Sequence, residues 1–122
     1  MVVVDDSDHC RRAASDVVRH AEGFELCGVA GSGAEAIAMA ESLEPDLVLL
    51  DVRMKEMNGI EAARQILEVR PGTVVVLVSA WAEERIGSAA ERCGAAATLH
   101  KRDLKPAVLG ELWSSHGPAF TG

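Results

Sequence analysis

Leu47-Val48-Leu49-Leu50-Asp51 is a run of four branched aliphatic residues closed by one acid. A strand with one face in water would alternate apolar and polar residues, and this run does not. Both of its faces must be covered, which is the habit of parallel sheets whose helices return over both sides. Working outward from residue 47, four further β-branched or apolar runs fall at positions 2–4, 25–30, 73–78 and 96–99, with stretches of helical period between them. Strands alternating with crossover helices predict an α/β domain, a doubly wound (βα)5 parallel sheet.

The helical stretches each carry their own start and stop signals. Cys10, Ala14, Val17, Val18 and Ala21 share one face of a first helix, with Asp6, Ser7 and Asp8 as capping candidates and Gly23 as its end. The second covers residues 34–43 and is stopped by Pro45. The third covers residues 59–70, with Ile60, Ala63, Ile66 and Leu67 inward and Glu61, Arg64 and Glu68 paired in water before Pro71-Gly72 breaks it. A fourth is expected at residues 82–93, with Ile86, Ala89, Ala90 and Cys93 on one stripe and Gly94 as its stop. Pro106 opens a fifth, whose inner face holds Val108, Leu109, Leu112 and Trp113. Gly31-Ser32-Gly33 lacks the Gly-Lys-Ser/Thr that a phosphate loop needs and is read as a strand-to-helix turn. Val2-Val3-Val4 is short against the usual ~5 residues of a strand, so this strand is either unusually short or trimmed.

At 122 residues and 48% hydrophobic, the chain suits one globular domain, expected at 1–116 with 117–122 as a tail or the start of a linker. No apolar stretch approaches the ~20 residues of a membrane span, and Met1-Val2-Val3-Val4 runs into Asp5-Asp6 without a basic region, so a cytoplasmic protein is expected. A net charge of −7, with two Phe, two Trp and no Tyr, disfavours direct contact with nucleic acid or anionic membrane. Cys10, Cys27 and Cys93 have no C-x-x-C spacing and read as small buried residues in a reducing compartment. No two of His9, His20, His100 and His116 share a helix-face spacing, which argues against a histidine metal site.

The polar residues that matter stand at strand ends. The first strand ends in Asp5-Asp6, the third in Asp51, the fourth in Ser79, and the fifth leads through His100 to Lys101. In an open parallel sheet these termini share one edge, where ligands bind. Carboxylates gathered in a shielded crevice repel one another, and a hard divalent cation such as Mg²⁺ relieves that with oxygen ligands. One carboxylate can then serve as a nucleophile toward phosphorus, with a lysine and a hydroxyl on the transferred oxygens.

The ordered set Asp5-Asp6, Leu49-Leu50-Asp51-Val52-Arg53-Met54 followed by Asn58-Gly59, Val78-Ser79-Ala80, and Gly94-Ala95 followed by Lys101 resembles the receiver domain of bacterial two-component response regulators. The resemblance covers essentially the whole chain and implies a flavodoxin-like sheet of order 2-1-3-4-5. It implies that Asp51 accepts a phosphoryl group from a sensor histidine kinase and that Asp5, Asp6, Asp51 and the Arg53 backbone carbonyl hold Mg²⁺. Ser79 would be the switch hydroxyl and Lys101 the phosphoryl contact. The output would be controlled by a conformational switch, for example transcription through an effector domain outside this chain. The resemblance also implies kinase docking near the first helix and a homodimer through the fourth helix, fifth strand and fifth helix.

Three positions depart from the pattern. The family usually has proline where Lys55 stands, often proline at Arg102, and an aromatic residue where Thr98 stands. The last departure bears on how the signal leaves the site, so a pseudo-receiver that signals without phosphate is one rival. An aspartate-nucleophile phosphatase is another, but it would need a second acid where Arg53 stands. His9, near Asp6, and the arginines Arg11, Arg12 and Arg19 on the first helix are read as solvated.

Overall fold

The computed structural model describes residues 1–54, 56–80 and 92–116. Five parallel strands, β1 (Val2–Val4), β2 (Gly28–Ala30), β3 (Leu47–Asp51), β4 (Val74–Ser79) and β5 (Ala97–His100), form one sheet in the order β2-β1-β3-β4-β5. The expected doubly wound, flavodoxin-like order 2-1-3-4-5 is what is found. Every residue of β3 and β4 is buried, as the unbroken apolar runs require.

Strand periodicity divides the core into two layers. Val2, Val4, Val48, Leu50, Val75 and Leu77 point to one face and pack with Ala36, Ala40, Ala62, Ala63 and Ile66 from α2 (Gly33–Leu43) and α3 (Gly59–Val69). Val3, Leu47, Leu49, Val74, Val76 and Val78 point to the other, where Val18 of α1 (Asp8–His20) and Leu109 of the C-terminal helix Pro106–His116 are fully buried. Phe24 and Trp113 meet edge-on there, with centroids 6.5 Å apart. Each fully buried leucine or isoleucine in these layers contributes about 2–3 kcal/mol.

The helix starts are set by short polar side chains. Ser7 accepts from the Cys10 N–H, Ser32 from the Glu35 N–H and Asn58 from the Ile60 N–H, each satisfying a donor that the first helical turn leaves free. Ser32 thus settles the Gly31-Ser32-Gly33 turn as a cap. Arg64 pairs with both Glu61 and Glu68 on the wet face of α3, as its spacing predicts. Arg92 and Cys93 are helical and Gly94 follows them at φ +91°, a conformation suited to glycine at a helix end. The remainder of the expected fourth helix, including Ile86, Ala89 and Ala90, lies outside the described residues, as do Lys55, Trp81 and the tail from 117.

Several boundaries differ from the sequence reading, each for a local reason. β2 was expected over residues 25–30 but ladders only at Gly28–Ala30, because its partner β1 offers just Val2–Val4, in the register Val2↔Gly28. Before that, the segments are joined outside the ladder: the Cys27 N–H donates to the Met1 carbonyl and the Met1 ammonium to the Glu25 carbonyl, each at 2.9 Å. Cys27 is consequently exposed, against the expectation of a buried thiol, whereas Cys93 is buried and Cys10 intermediate. Thr73, expected to open β4, instead closes a turn: its hydroxyl donates to the Pro45 carbonyl and its N–H to Arg70. No described peptide bond is cis, so the Lys101–Arg102 bond is trans. Among the described residues, no helix is long and apolar enough to cross a membrane.

Candidate functional site

The carboxyl ends of β1, β3, β4 and β5 meet at one edge of the sheet. Asp5 directly follows β1, and its N–H still bonds to the Ala30 carbonyl, so the sheet ladder fixes its backbone. One of its carboxylate oxygens accepts the Ser7 N–H at 2.9 Å, and the other accepts Lys101 Nζ at 3.1 Å. Asp51 is the last residue of β3, opposite Val78, and its Oδ1 stands 3.6 Å from the same ammonium. Asp5 and Asp51 are both buried, at 5% exposure, while Asp6 is half-buried. Oxygens of these three carboxylates lie within 4.8 Å of one another.

Among the described residues, three carboxylates face one ammonium here, and that imbalance shows in the titration of Asp51. Burial, together with the negative charge of Asp5, pushes its carboxyl up to about 6. The charge of Lys101 and a hydrogen bond from the Arg53 backbone N–H oppose the rise, and Asp6 adds to it. For Lys101, burial disfavours the charged form. The hydrogen bond to Asp5 and the fields of Asp51 and Asp5 outweigh that and raise its pKa, so it is a fixed cation. The donor set, hard oxygens with residual negative charge and partial access through Asp6, suits a small divalent cation such as Mg²⁺. Soft or histidine-seeking metals find nothing comparable in it.

Ser79, 1% exposed, closes β4 one residue beyond Val78 and pairs in register with His100. The expected residues Asp5, Asp6, Asp51, Ser79 and Lys101 are thus gathered at one sheet edge. His9, near Asp6 in sequence, is exposed, in accordance with its reading as solvated. Arg53 is exposed, and the acid that a phosphatase of the aspartate-nucleophile type would carry there is absent from the sequence.

The sequence reading missed the part that two residues play at the site. Arg11 was read as solvated, but its Nη1 donates to the Asp5 carbonyl at 2.9 Å while Nη2 pairs with Asp8. It braces the acidic loop from behind, because the first turn of α1 lies over the end of β1. Gly59 starts α3 with its N–H on the Val52 carbonyl at 2.8 Å, and a Cβ there would press on the backbone of Asp51 and Val52. Asn58-Gly59 was visible as a motif, but the contact it serves was not.

Residues 1–111 match the sequence profile of the response regulator receiver domain. The chain belongs to this family. The receiver is 34% identical over 95 residues to the chemotaxis protein CheY of Thermotoga maritima, covering 78% of each chain. It is 34% identical over 122 residues to the response regulator GacA of Pseudomonas aeruginosa, covering all of this chain and 55% of that one. Among solved structures it is similar to the CheY of Borrelia burgdorferi in a complex with CheX, BeF3 and Mg²⁺, at TM-score 0.83 and 28% identity. That similarity covers 96% of this receiver and 88% of the other chain. This receiver therefore spans most of one relative and about half of the other, and as a two-component receiver domain it is a signalling module.

Proposed function

We propose that the receiver is a phosphorylation-gated switch in which Asp51 accepts a phosphoryl group from a histidine kinase. What carries this reading is one buried carboxylate, Asp51, held among two further carboxylates and the fixed ammonium of Lys101. An Asp51 oxygen bonds to phosphorus as the bond from phosphorus to the donor's imidazole nitrogen breaks, and the imidazole leaves. Asp5, Asp6, Asp51 and the Arg53 backbone carbonyl are assigned to a bound Mg²⁺, which would offset the clustered carboxylates and the phosphoryl oxygens. Lys101 contributes a positive charge to the phosphoryl oxygens, and the Ser79 hydroxyl a hydrogen bond that changes when the site is filled. The domain catalyses only its own phosphorylation and dephosphorylation. Its output belongs to a partner or an effector domain, reached from the cytoplasm, and nucleic acid is not expected to touch this domain itself.

The decisive experiment incubates the protein with Mg²⁺ and acetyl phosphate. Intact mass spectrometry should show one added phosphoryl group, which borohydride trapping locates at Asp51. Labelling elsewhere, or none, rejects the assignment.

A second expectation concerns the ammonium. Lys101 occupies oxygens on Asp5 and Asp51 that are assigned to the metal, so it competes with a cation for them. Lys101→Ala should tighten Mg²⁺ binding by about threefold to tenfold, since removing one nearby charge is worth on the order of 1 kcal/mol in a half-buried site. The same variant should take up phosphate more slowly and melt lower without metal. Titration calorimetry gives the first quantity, and lost Mg²⁺ binding would mean that Lys101 builds the site instead.

A further inference from the structure

We propose that His100 is a positioning residue for Lys101, acting through a side-chain cap on the turn that carries the lysine. This rests on the phospho-acceptor reading for what Lys101 does, and on the geometry for how it is held. β5 ends at His100 and passes directly into a 3-10 turn, Lys101–Asp103. The first N–H groups of such a turn have no partner within it. His100 supplies one: its Nδ1 accepts the Arg102 N–H at 3.1 Å. Leu104 N–H closes the other end of the turn on the Lys101 carbonyl at 3.3 Å.

The anchor of this cap is rigid. His100 pairs with Ser79 in the β4–β5 ladder, so its backbone is fixed by the sheet and its ring hands that order on to the turn. Lys101 must reach from the turn to within 3.1 Å of Asp5 and 3.6 Å of Asp51 along a flexible four-carbon stem. Fixing the backbone at its base removes part of the freedom that the stem would otherwise spend, and the effect of a point charge depends steeply on where it stands. Because Nδ1 accepts, the ring proton is on Nε2 and the imidazole caps as a neutral group. Serine, threonine, aspartate and asparagine are the usual caps, and here a histidine takes that place.

The test follows from where the acceptor sits. Asparagine places Oδ1 on Cγ just as histidine places Nδ1, alanine places nothing there, and glutamine carries its oxygen one carbon further out. In His100→Ala and His100→Gln, the rate of uptake from acetyl phosphate should fall about fivefold, the weight of a lost cap. His100→Asn should stay within about twofold of wild type in rate and in Mg²⁺ Kd, whereas in the alanine and glutamine variants Mg²⁺ should bind somewhat tighter, by no more than in Lys101→Ala, because a loosened ammonium competes less for the Asp5 and Asp51 oxygens. Arg102 amide exchange should quicken in the alanine variant and not in the asparagine variant. In a Lys101→Ala background, His100→Ala should have no further effect on the rate, which a merely structural role would not predict. Wild-type uptake with a wild-type rate in His100→Ala would overturn the inference. So would an asparagine variant as slow as alanine, or an equal slowing in the Lys101→Ala background. A wild-type protein that takes up no phosphoryl group would overturn the phospho-acceptor reading itself, and the role of His100 with it.

Discussion

Asp51→Asn should take up no phosphoryl group from acetyl phosphate, and without metal at neutral pH it should be more stable than wild type by up to about 3 kcal/mol. Loss of uptake follows from replacing the nucleophilic oxygen with an amide of nearly the same shape. The gain in stability follows from the crowding of Asp5, Asp6 and Asp51. Asp51 has a folded pKa of about 6 against an ordinary value of 3.8, with burial as the main cause. Between those values the native state holds a proton that the unfolded chain has released. The ionised carboxylate therefore costs nothing below about pH 4, costs increasingly as the pH rises, and costs its full amount above about pH 6. Metal-free wild type should lose stability over that window while Asp51→Asn does not. Urea unfolding in chelator at pH 4.5 and pH 7 reads the difference between the two proteins directly. An advantage of Asp51→Asn that is equal at both pH values would mean that the ionisation of Asp51 is not its source.

Much of this was readable from residue types because the sheet translates sequence position into spatial position. Val2-Val3-Val4, Leu47 to Leu50 and Val74 to Val78 are apolar on both faces, so their place inside a parallel sheet follows from burial alone. Once the strands are parallel, the residues after them share an edge whatever the loops do. That is why Asp5, Asp6, Asp51, Ser79 and Lys101 could be grouped without coordinates. The exact strand limits were not readable in the same way, since they depend on the partner: β2 starts only where β1 starts, at Gly28 opposite Val2, and Thr73 leaves β4 for the Pro45 carbonyl. The bracing groups were hidden for a related reason. Arg11, His100 and Gly59 act through backbone atoms of the Asp5 loop, the Lys101 turn and the Asp51–Val52 strand end, and no side-chain pattern marks a contact with a backbone atom. Thr98, level with Leu77 in the β4–β5 register, is half-buried and carries no ring, whatever route the signal takes past it.

Gly59→Ala should lower the melting temperature by about 15 °C, the largest loss expected from removing no interaction at all. The first residue of α3 is held against the end of β3: its N–H bonds to the Val52 carbonyl, and Asn58 caps the next turn by accepting from Ile60. A methyl group added there would stand 2.8 Å from Val52 Cα and 2.9 Å from the Asp51 carbonyl carbon. These are buried backbone atoms at the end of β3 and just beyond it, so the neighbour cannot swing aside as a long side chain could. Overpacking costs about 1–3 kcal/mol even in yielding cores, and the upper end applies here, at about 4–8 °C per kcal/mol for a domain of this size. The control is Gly110→Ala in the C-terminal helix, where an added Cβ meets nothing within 4 Å. That change should stabilise by about 0.5–1 kcal/mol through helix propensity. Relief of the clash can come only by moving α3 away from the strand or by moving Asp51, and the second route displaces the carboxylate from Lys101. Phosphoryl uptake by Gly59→Ala, measured well below its melting temperature, should therefore be slower than wild type. A variant that melts like wild type would mean that α3 can slide along the sheet at little cost.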